Sequence, residues 1–508
     1  MLTKLRRGRA PCRCREPEML WLVSVWRIQG WVWAVIAMWW LAVAPAFAQE
    51  SRRPRPANII LILADDLGYG DLGCYGQQQI RTPHLDRLAA EGMRFTQFYA
   101  GSTVCAPSRC VLMTGLHTGH CYIRGNARYN LRPEDRTLAE VLKSAGYATA
   151  HIGKWGLGHE NSTGVPTRKG FDYFFGYLDQ VHAHNYYPTF LLRNGTRVRL
   201  PNVVPKEGPN GEGVASERRA YSHDLFTEEA LRWIGQHRDQ PFFLYLAYTI
   251  PHANNEAQNA KYTVATSRKR LHGMEVPDLG IYKDRPWPES EKAFAAMVTR
   301  LDADIGRIVA RVRELGLERE TLILFSSDNG PHGEGGHDPK FFQSSGNLRG
   351  MKRDLYEGGI RVPLIAWWPG RIPAGKVSAQ VGWFADVLPT LADLAGAKPP
   401  EGLDGVSLVP TLLGKEREQR PPRYLYWEFY ERGGAQAVRW GKWKGVCKPF
   451  WGRLELYDLE SDPGESGDLA EQHPDVVAKL QALLKEAHEP SPLWPIPKPV
   501  QTKLRRGQ

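Results

Sequence analysis

Two pairs of oxygen-bearing side chains, Asp65-Asp66 and Asp328-Asn329, each follow a short apolar run, NIILILA and TLILFSS. Four such donors offer a hard cation an all-oxygen shell. With neither imidazole nor thiolate in the set, Ca²⁺ or Mg²⁺ is favoured over Zn²⁺. The same residues could instead cap the turns after those runs, because Asp and Asn bond readily to nearby backbone N–H groups. Two further apolar runs end near Lys154 and at His252. A different chemistry is offered by VCAPSRCVLMTG, residues 104–115. Pro107 suits a first helical turn and Gly115 a helix stop, which places Cys105 at a helix N-terminus. The unpaired N–H groups there favour an anion. Cys105 could act as a thiolate nucleophile, given a general base that spacing does not identify, or form a disulfide with Cys110 or Cys121.

The apolar runs supply the frame for these residues. NIILILADD, YATAHIGKW, PFFLYLAYTIPH, TLILFSSDNG and VPLIAWWPG are short and continuously apolar, as strands buried on both faces are. Helical periodicity separates them at 83–91, 138–145, 224–235, 290–315 and 384–395. Alternation of this kind predicts an α/β fold with a large, mostly parallel central sheet flanked by helices. Ligands of open α/β sheets bind beyond the carboxyl ends of the strands, where the polar residues above stand. After a Pro/Gly-marked, charged link, RYLYWEFY, QAVRWGKWKGVC and LELYDLESD alternate like an antiparallel sheet, and VVAKLQALLKEAH reads as an amphipathic helix. The expected organisation is therefore 1–48 a leader, 49–420 the catalytic domain and 421–508 a smaller α+β subdomain. Residues 49–57 read as a mobile strap, and the Pro-rich basic tail after Glu489 is expected to fray.

The leader combines seven basic residues with the apolar stretch GWVWAVIAMWWLAVAPAFAQE, ending in Ala46-Phe47-Ala48. A secretory signal cut after Ala48 is expected, and with it export to a periplasm or the exterior. Cleavage removes seven basic and two acidic residues, lowering the net charge from +11 to +6. That surplus suits an anionic substrate, or is simply a solvated surface. No Lys/Arg block points to nucleic acid, and no later segment is long and apolar enough to span a membrane. Of seven cysteines, Cys12 and Cys14 leave with the signal, so the mature chain keeps an odd five. None stands in a CxxC pair of zinc-site spacing.

CAPSRCVLMTG resembles the sulfatase signature, in which Cys-x-Pro-Ser-Arg precedes a Thr-Gly. ADDLGYGDLGCYG, GKWGLG, SDNG, RGMKRDLYEGGIRVP and ELYDLESDPGE resemble further motifs of that family, in its order, from about residue 57 to residue 475. The resemblance implies the alkaline-phosphatase-like fold and a formylglycine-dependent, arylsulfatase A-like enzyme of bacterial type. It implies that a maturating enzyme oxidises Cys105 to Cα-formylglycine, which also explains the odd cysteine. The hydrated aldehyde, a geminal diol, attacks sulfur with one oxygen, and loss of the second diol proton then expels sulfate. A serine, with one hydroxyl, lacks that exit. The implied cation ligands are Asp65, Asp66, Asp328, Asn329 and residue 105, with Ca²⁺ expected and Mg²⁺ the alternative. Arg109 steadies the diol, Lys154 and Lys352 hold sulfate oxygens, and His252 protonates the leaving alcohol.

One position departs from the pattern. Family members often carry a His where this chain has Gly156, and that His contacts the diol and assists sulfate release. His184, or failing it His182, in DQVHAHNYYP (179–188) is expected to fill the vacancy. The expected substrate is an aryl or carbohydrate sulfate. The competing readings are a phosphonate monoester or phosphodiester hydrolase of the same fold, and a non-catalytic protein that binds sulfated glycans.

Overall fold

The computed structural model describes residues 58–263, 272–450 and 452–496. The expected leader and strap lie outside them. The central sheet has eleven strands: β1 (Asn58–Ala64), β2 (Met93–Tyr99), β3 (Ala148–Lys154), β4 (Tyr173–Tyr177), β5 (Phe190–Arg193), β6 (Thr196–Arg199), β7 (Phe242–Ala247), β8 (Thr321–Ser327), β9 (Arg361–Trp367), β10 (Lys376–Ser378) and β11 (Gly382–Trp383). Their order is β10-β2-β9-β8-β1-β7-β3-β4-β5-β6, with β11 also on β2.

The middle of the sheet, β8-β1-β7-β3-β4, is parallel. β1 is buried at every position, as its unbroken apolar run requires. Its odd residues, Ile59, Leu61 and Leu63, join a core cluster with helices Cys105–Thr114, Leu138–Ser144 and Val387–Ala395. Its even residues, Ile60, Ile62 and Ala64, face helices Pro83–Glu91, Ser222–Gln236 and Glu289–Glu314. Each fully buried Leu, Ile or Val contributes about 1.5–3 kcal/mol. The result is the expected three-layer architecture, with a large, mostly parallel sheet between helices.

VPLIAWWPG forms β9, which runs antiparallel to both β8 and β2. This reversal is useful at the site. The chain entering β9 and the chain leaving β2 both lie at the edge where β1, β3, β7 and β8 end, so segments around residues 352 and 105 meet there.

A separate four-stranded antiparallel sheet follows, β12 (Leu425–Phe429), β13 (Ala435–Trp440), β14 (Trp443–Cys447) and β15 (Leu454–Asp458). Helix Pro474–Ala487 covers one face through Leu480, Leu483 and Leu484. The other face, with Trp427, Phe429 and Val446, joins the main core. Lys444, fully buried, binds Glu357 (2.9 Å) and Glu465 (2.8 Å), fastening this sheet to the turn before β9. The tail does not fray directly after Glu489. Trp494 is buried and its Nε1–H donates to the Tyr122 carbonyl (2.9 Å), because a large indole gains more by docking than by solvation. Among the described residues no helix is long and apolar enough to cross a membrane.

Candidate active site

Asp65 and Asp66 leave β1, Asp328 and Asn329 leave its neighbour β8, and Lys154 ends β3. Helix Cys105–Thr114 begins with its first residue against them, Cys105 Sγ 3.4 Å from Asp65 Oδ1. The backbone N–H of Asp66 donates to Asp328 Oδ1 (3.1 Å), and Asn329 Nδ2–H donates to Asp66 Oδ1 (2.7 Å). Asp65, Asp66, Cys105, Asp328 and Asn329 are all buried. Asn329 Oδ1 is buried with no hydrogen-bond partner among the described residues. An unused carbonyl oxygen beside three carboxylates has the donor chemistry of a hard-cation site, so the residues present fit such an ion.

Cations of the chain itself balance the carboxylates. Lys154 Nζ lies 2.7 Å from Asp65 Oδ2, and Lys352 Nζ lies 2.8 Å from Asp66 Oδ2. Arg109 donates from Nε (3.0 Å) and Nη2 (2.8 Å) to Asp328 Oδ2, and from Nη1 to the Lys154 carbonyl (2.9 Å). Burial pulls the Lys352 ammonium down, but Asp66, the Cys105 thiol and Glu334 outweigh it, and its pKa is raised. Lys154 is likewise raised, against burial, by Asp65 and Cys105. Both lysines stay charged. Burial pushes the Cys105 thiol well above its ordinary value, aided by Asp65 and Asp328 against Lys154. A thiol held protonated by burial is a poorer nucleophile than the helix N-terminus alone would suggest. The alternative disulfide is not formed either: all five cysteines among the described residues are free.

His252 lies five residues past β7. Its Nδ1 is 2.7 Å from the Ala253 carbonyl, so Nδ1 carries the proton and Nε2 accepts from Lys352 Nζ (3.1 Å). Burial, then Lys352 and Lys154, hold its pKa well below that of a free imidazole. His184 stacks on His252, with ring centroids 4.8 Å apart, and its Nδ1 lies 3.2 Å from Glu256 Oε2. A cleft of about 190 Å³ is lined by Cys105, Gly156, Gln180, His184, His252 and Lys352, among others.

Neither histidine of the 179–188 segment takes the space beside Gly156. His184 is committed to the stack on His252. His182 is buried outside this cleft, against Tyr177 and Phe190. The Gln180 side chain stands at Gly156 instead: a Cβ on Gly156 would fall 2.0 Å from Gln180 Nε2. Sequence reasoning also passed over Glu334, which binds Lys352 (3.0 Å) and pairs with Arg353. It lies close after the Asp328-Asn329 pair in PHGEGG, and that proximity is the local signal that points to it.

Comparison with known proteins adds a second line of observation. Residues 57–397 match the family model Sulfatase, and residues 350–490 match that of N-sulphoglucosamine sulphohydrolase, C-terminal. The chain is 34% identical to human (Homo sapiens) arylsulfatase A over 482 residues, covering 84% of this chain and 87% of that one. It is 36% identical to pig (Sus scrofa) N-acetylgalactosamine-6-sulfatase over 479 residues, covering 87% and 82%. Its fold is similar to a crystal structure of Ps i-CgsB in complex with k-i-k-neocarrahexaose, with a TM-score of 0.71, 26% identity and coverage of 85% and 93%.

Proposed function

The chain belongs to the sulfatase family and hydrolyses sulfate esters; from that premise we propose that the reaction runs at Cys105 as Cα-formylglycine beside a cation. The observation that carries this reading is the meeting of Cys105, three aspartates and the orphaned Asn329 Oδ1 with two buried lysines at one strand edge. Asp65, Asp66, Asp328, Asn329 and residue 105 would hold Ca²⁺ or Mg²⁺, which would supply Lewis acidity and a lowered pKa for the attacking hydroxyl. The hydrated formyl group would supply two hydroxyls, one to attack sulfur and one to let sulfate depart.

The chain's own side chains do the rest. Arg109 fixes Asp328 and, through the Lys154 carbonyl, the end of β3, and so orients residue 105. Lys154 and Lys352 bind sulfate oxygens and offset charge that grows as the ester bond breaks. Because His252 Nδ1–H is committed to the Ala253 carbonyl, Nε2, which accepts from the Lys352 ammonium, is the ring nitrogen through which a proton from that ammonium would pass to the leaving oxygen. The Glu256 carboxylate orients His184 by accepting from Nδ1–H, which leaves Nε2 as a proton acceptor. His184→Ala is then expected to release about one equivalent of alcohol in a rapid burst and to stall, as stopped-flow kinetics would detect. Unchanged steady-state turnover would remove His184 from the mechanism.

The substrate is read as a sulfated carbohydrate. Asn126, Arg128, His159, Asp179 and Asn255 line the cleft with Lys352 and supply groups that can bond to sugar hydroxyls and sulfate. Export through a leader cut after Ala48, maturation by a formylglycine-forming enzyme, and a boundary near residue 420 between the catalytic and C-terminal parts complete the proposal.

Chelation tests the cation. Stripping divalent ions should abolish turnover and lower the Tm, because an ion bound only by the folded state at 100 times its Kd stabilises by about 2.7 kcal/mol. Ca²⁺ or Mg²⁺ should restore both; restoration by Zn²⁺ alone would overturn the oxygen-donor assignment. Asp328→Ala should weaken cation binding by calorimetry and lower the Tm, since buried Arg109 loses its partner, while the far-UV spectrum below that Tm stays native.

A further inference from the structure

Gly156 has a φ of +78°, in the left-handed region that a side chain disfavours. The space in front of it is occupied: Gln180 Nε2 and Cδ lie 2.0 and 2.7 Å from where a Cβ would be. Strand register brings Gln180 there. β3 and β4 run parallel with Lys154 opposite Tyr177. The pairing continues past both strands, with the Trp155 N–H donating to the Tyr177 carbonyl (2.9 Å) and the Gly156 N–H to the Leu178 carbonyl (3.0 Å). Gln180 follows two residues later and turns its amide across Gly156.

That amide is unusual in its surroundings. Nε2 is buried, yet it has no hydrogen-bond partner among the described residues. Gln180 also lines the cleft that holds Cys105, His252 and Lys352. A shielded N–H donor left unpaired on a cleft that also holds a buried ammonium is matched to an anionic oxygen, and its cost is recovered when that oxygen arrives.

We propose that Gln180 is a substrate-binding residue whose amide takes the place of the family's imidazole and donates its Nε2–H to a sulfate oxygen. The inference rests on the reading of this cleft as the sulfate site. It also divides the work of the missing imidazole. An amide donates but does not accept a proton at working pH, so Gln180 holds the anion while proton transfer falls to other groups.

The test is titration of inorganic sulfate into the full-length Ca²⁺-loaded protein, read by calorimetry and by product inhibition. Gln180→Ala should weaken sulfate binding about tenfold or more, the range for a hydrogen bond to a charged group. Gln180→Glu keeps the shape but turns a carboxylate on the anion, so it should weaken binding further, and kcat/KM should fall in the same order. A packing role gives the reverse order, with the truncation worse than the isosteric change. Sulfate affinity of Gln180→Glu within twofold of the parent protein would overturn the proposal, even if Gln180→Ala fails to fold. The titration needs no aldehyde, so an unmodified Cys105 would sink the formylglycine reading and leave this result standing.

Discussion

Cys105→Ser yields a folded protein whose turnover of sulfate esters falls on the order of 10⁴-fold or more, the scale on which removal of a covalent nucleophile acts. The substitution is nearly isosteric, and Cys105 makes its contact with Asp65 through Sγ, which a hydroxyl can replace. Loss of activity therefore reports chemistry rather than folding. A serine cannot be oxidised to the same aldehyde by a thiol-directed route, and it carries one hydroxyl where sulfate release needs two. A slow first turnover that traps sulfate on the residue would fit this account; sustained turnover would not. The companion measurement is the mass of the Cys105 peptide from active protein, expected lighter than the thiol form by the change from CH₂SH to CHO. Active protein in which every Cys105 remains a thiol would sink the mechanism. Burial pushes the Cys105 thiol well above its ordinary pKa, so left as a thiol it lacks the ionisation that direct attack requires.

Lys352→Ala is the second large effect. Its ammonium meets Asp66 (2.8 Å), Glu334 (3.0 Å) and His252 Nε2 (3.1 Å), so one substitution removes the cation that three functional groups share. Loss of a preorganised donor to a developing anion costs about 10²–10³ in rate, and kcat/KM should fall at least that far. The variant should also be less stable. Removing one partner of a buried pair leaves the other uncompensated, at about 3–5 kcal/mol. The two consequences are separated by measuring the folded fraction and correcting the rate for it. Lys352→Arg should not rescue, because a planar guanidinium is poorly matched to three partners converging on a compact charge. Near-native kcat/KM in Lys352→Ala would remove Lys352 from sulfate binding.

Much of this was legible along the chain. The helix over Pro83–Glu91 was marked by Pro83 and its apolar spacing, and it appears with those bounds. The run NIILILA announced a strand buried on both faces. The residues Asp65, Asp66, Asp328 and Asn329 stood out because acidic and amide groups directly after apolar runs are strand-end residues. Their convergence was an expectation, since 262 positions separate Asp66 from Asp328.

What stayed hidden depends on contacts between segments that local periodicity does not encode. β2, MRFTQFY, has buried and half-buried residues without clean alternation, and the run that became β9 carries no mark of its direction. Its antiparallel course decided that Lys352 reaches the site. The vacancy at Gly156 was visible in the sequence, but its occupant was not. His184 was the chemical choice for a missing imidazole, whereas the continued β3–β4 pairing put Gln180 there and left His184 stacked on His252.

The sequence by itself determined the strand and helix succession, the chemical types of the site residues and the family they resemble, because these follow from side-chain chemistry and short-range period. Only the tertiary structure decided which donors face one another, which carbonyl of Asn329 is left unpaired, and which side chain fills the gap before Gly156. Those outcomes depend on sheet register and strand direction, which are set by packing across the whole core.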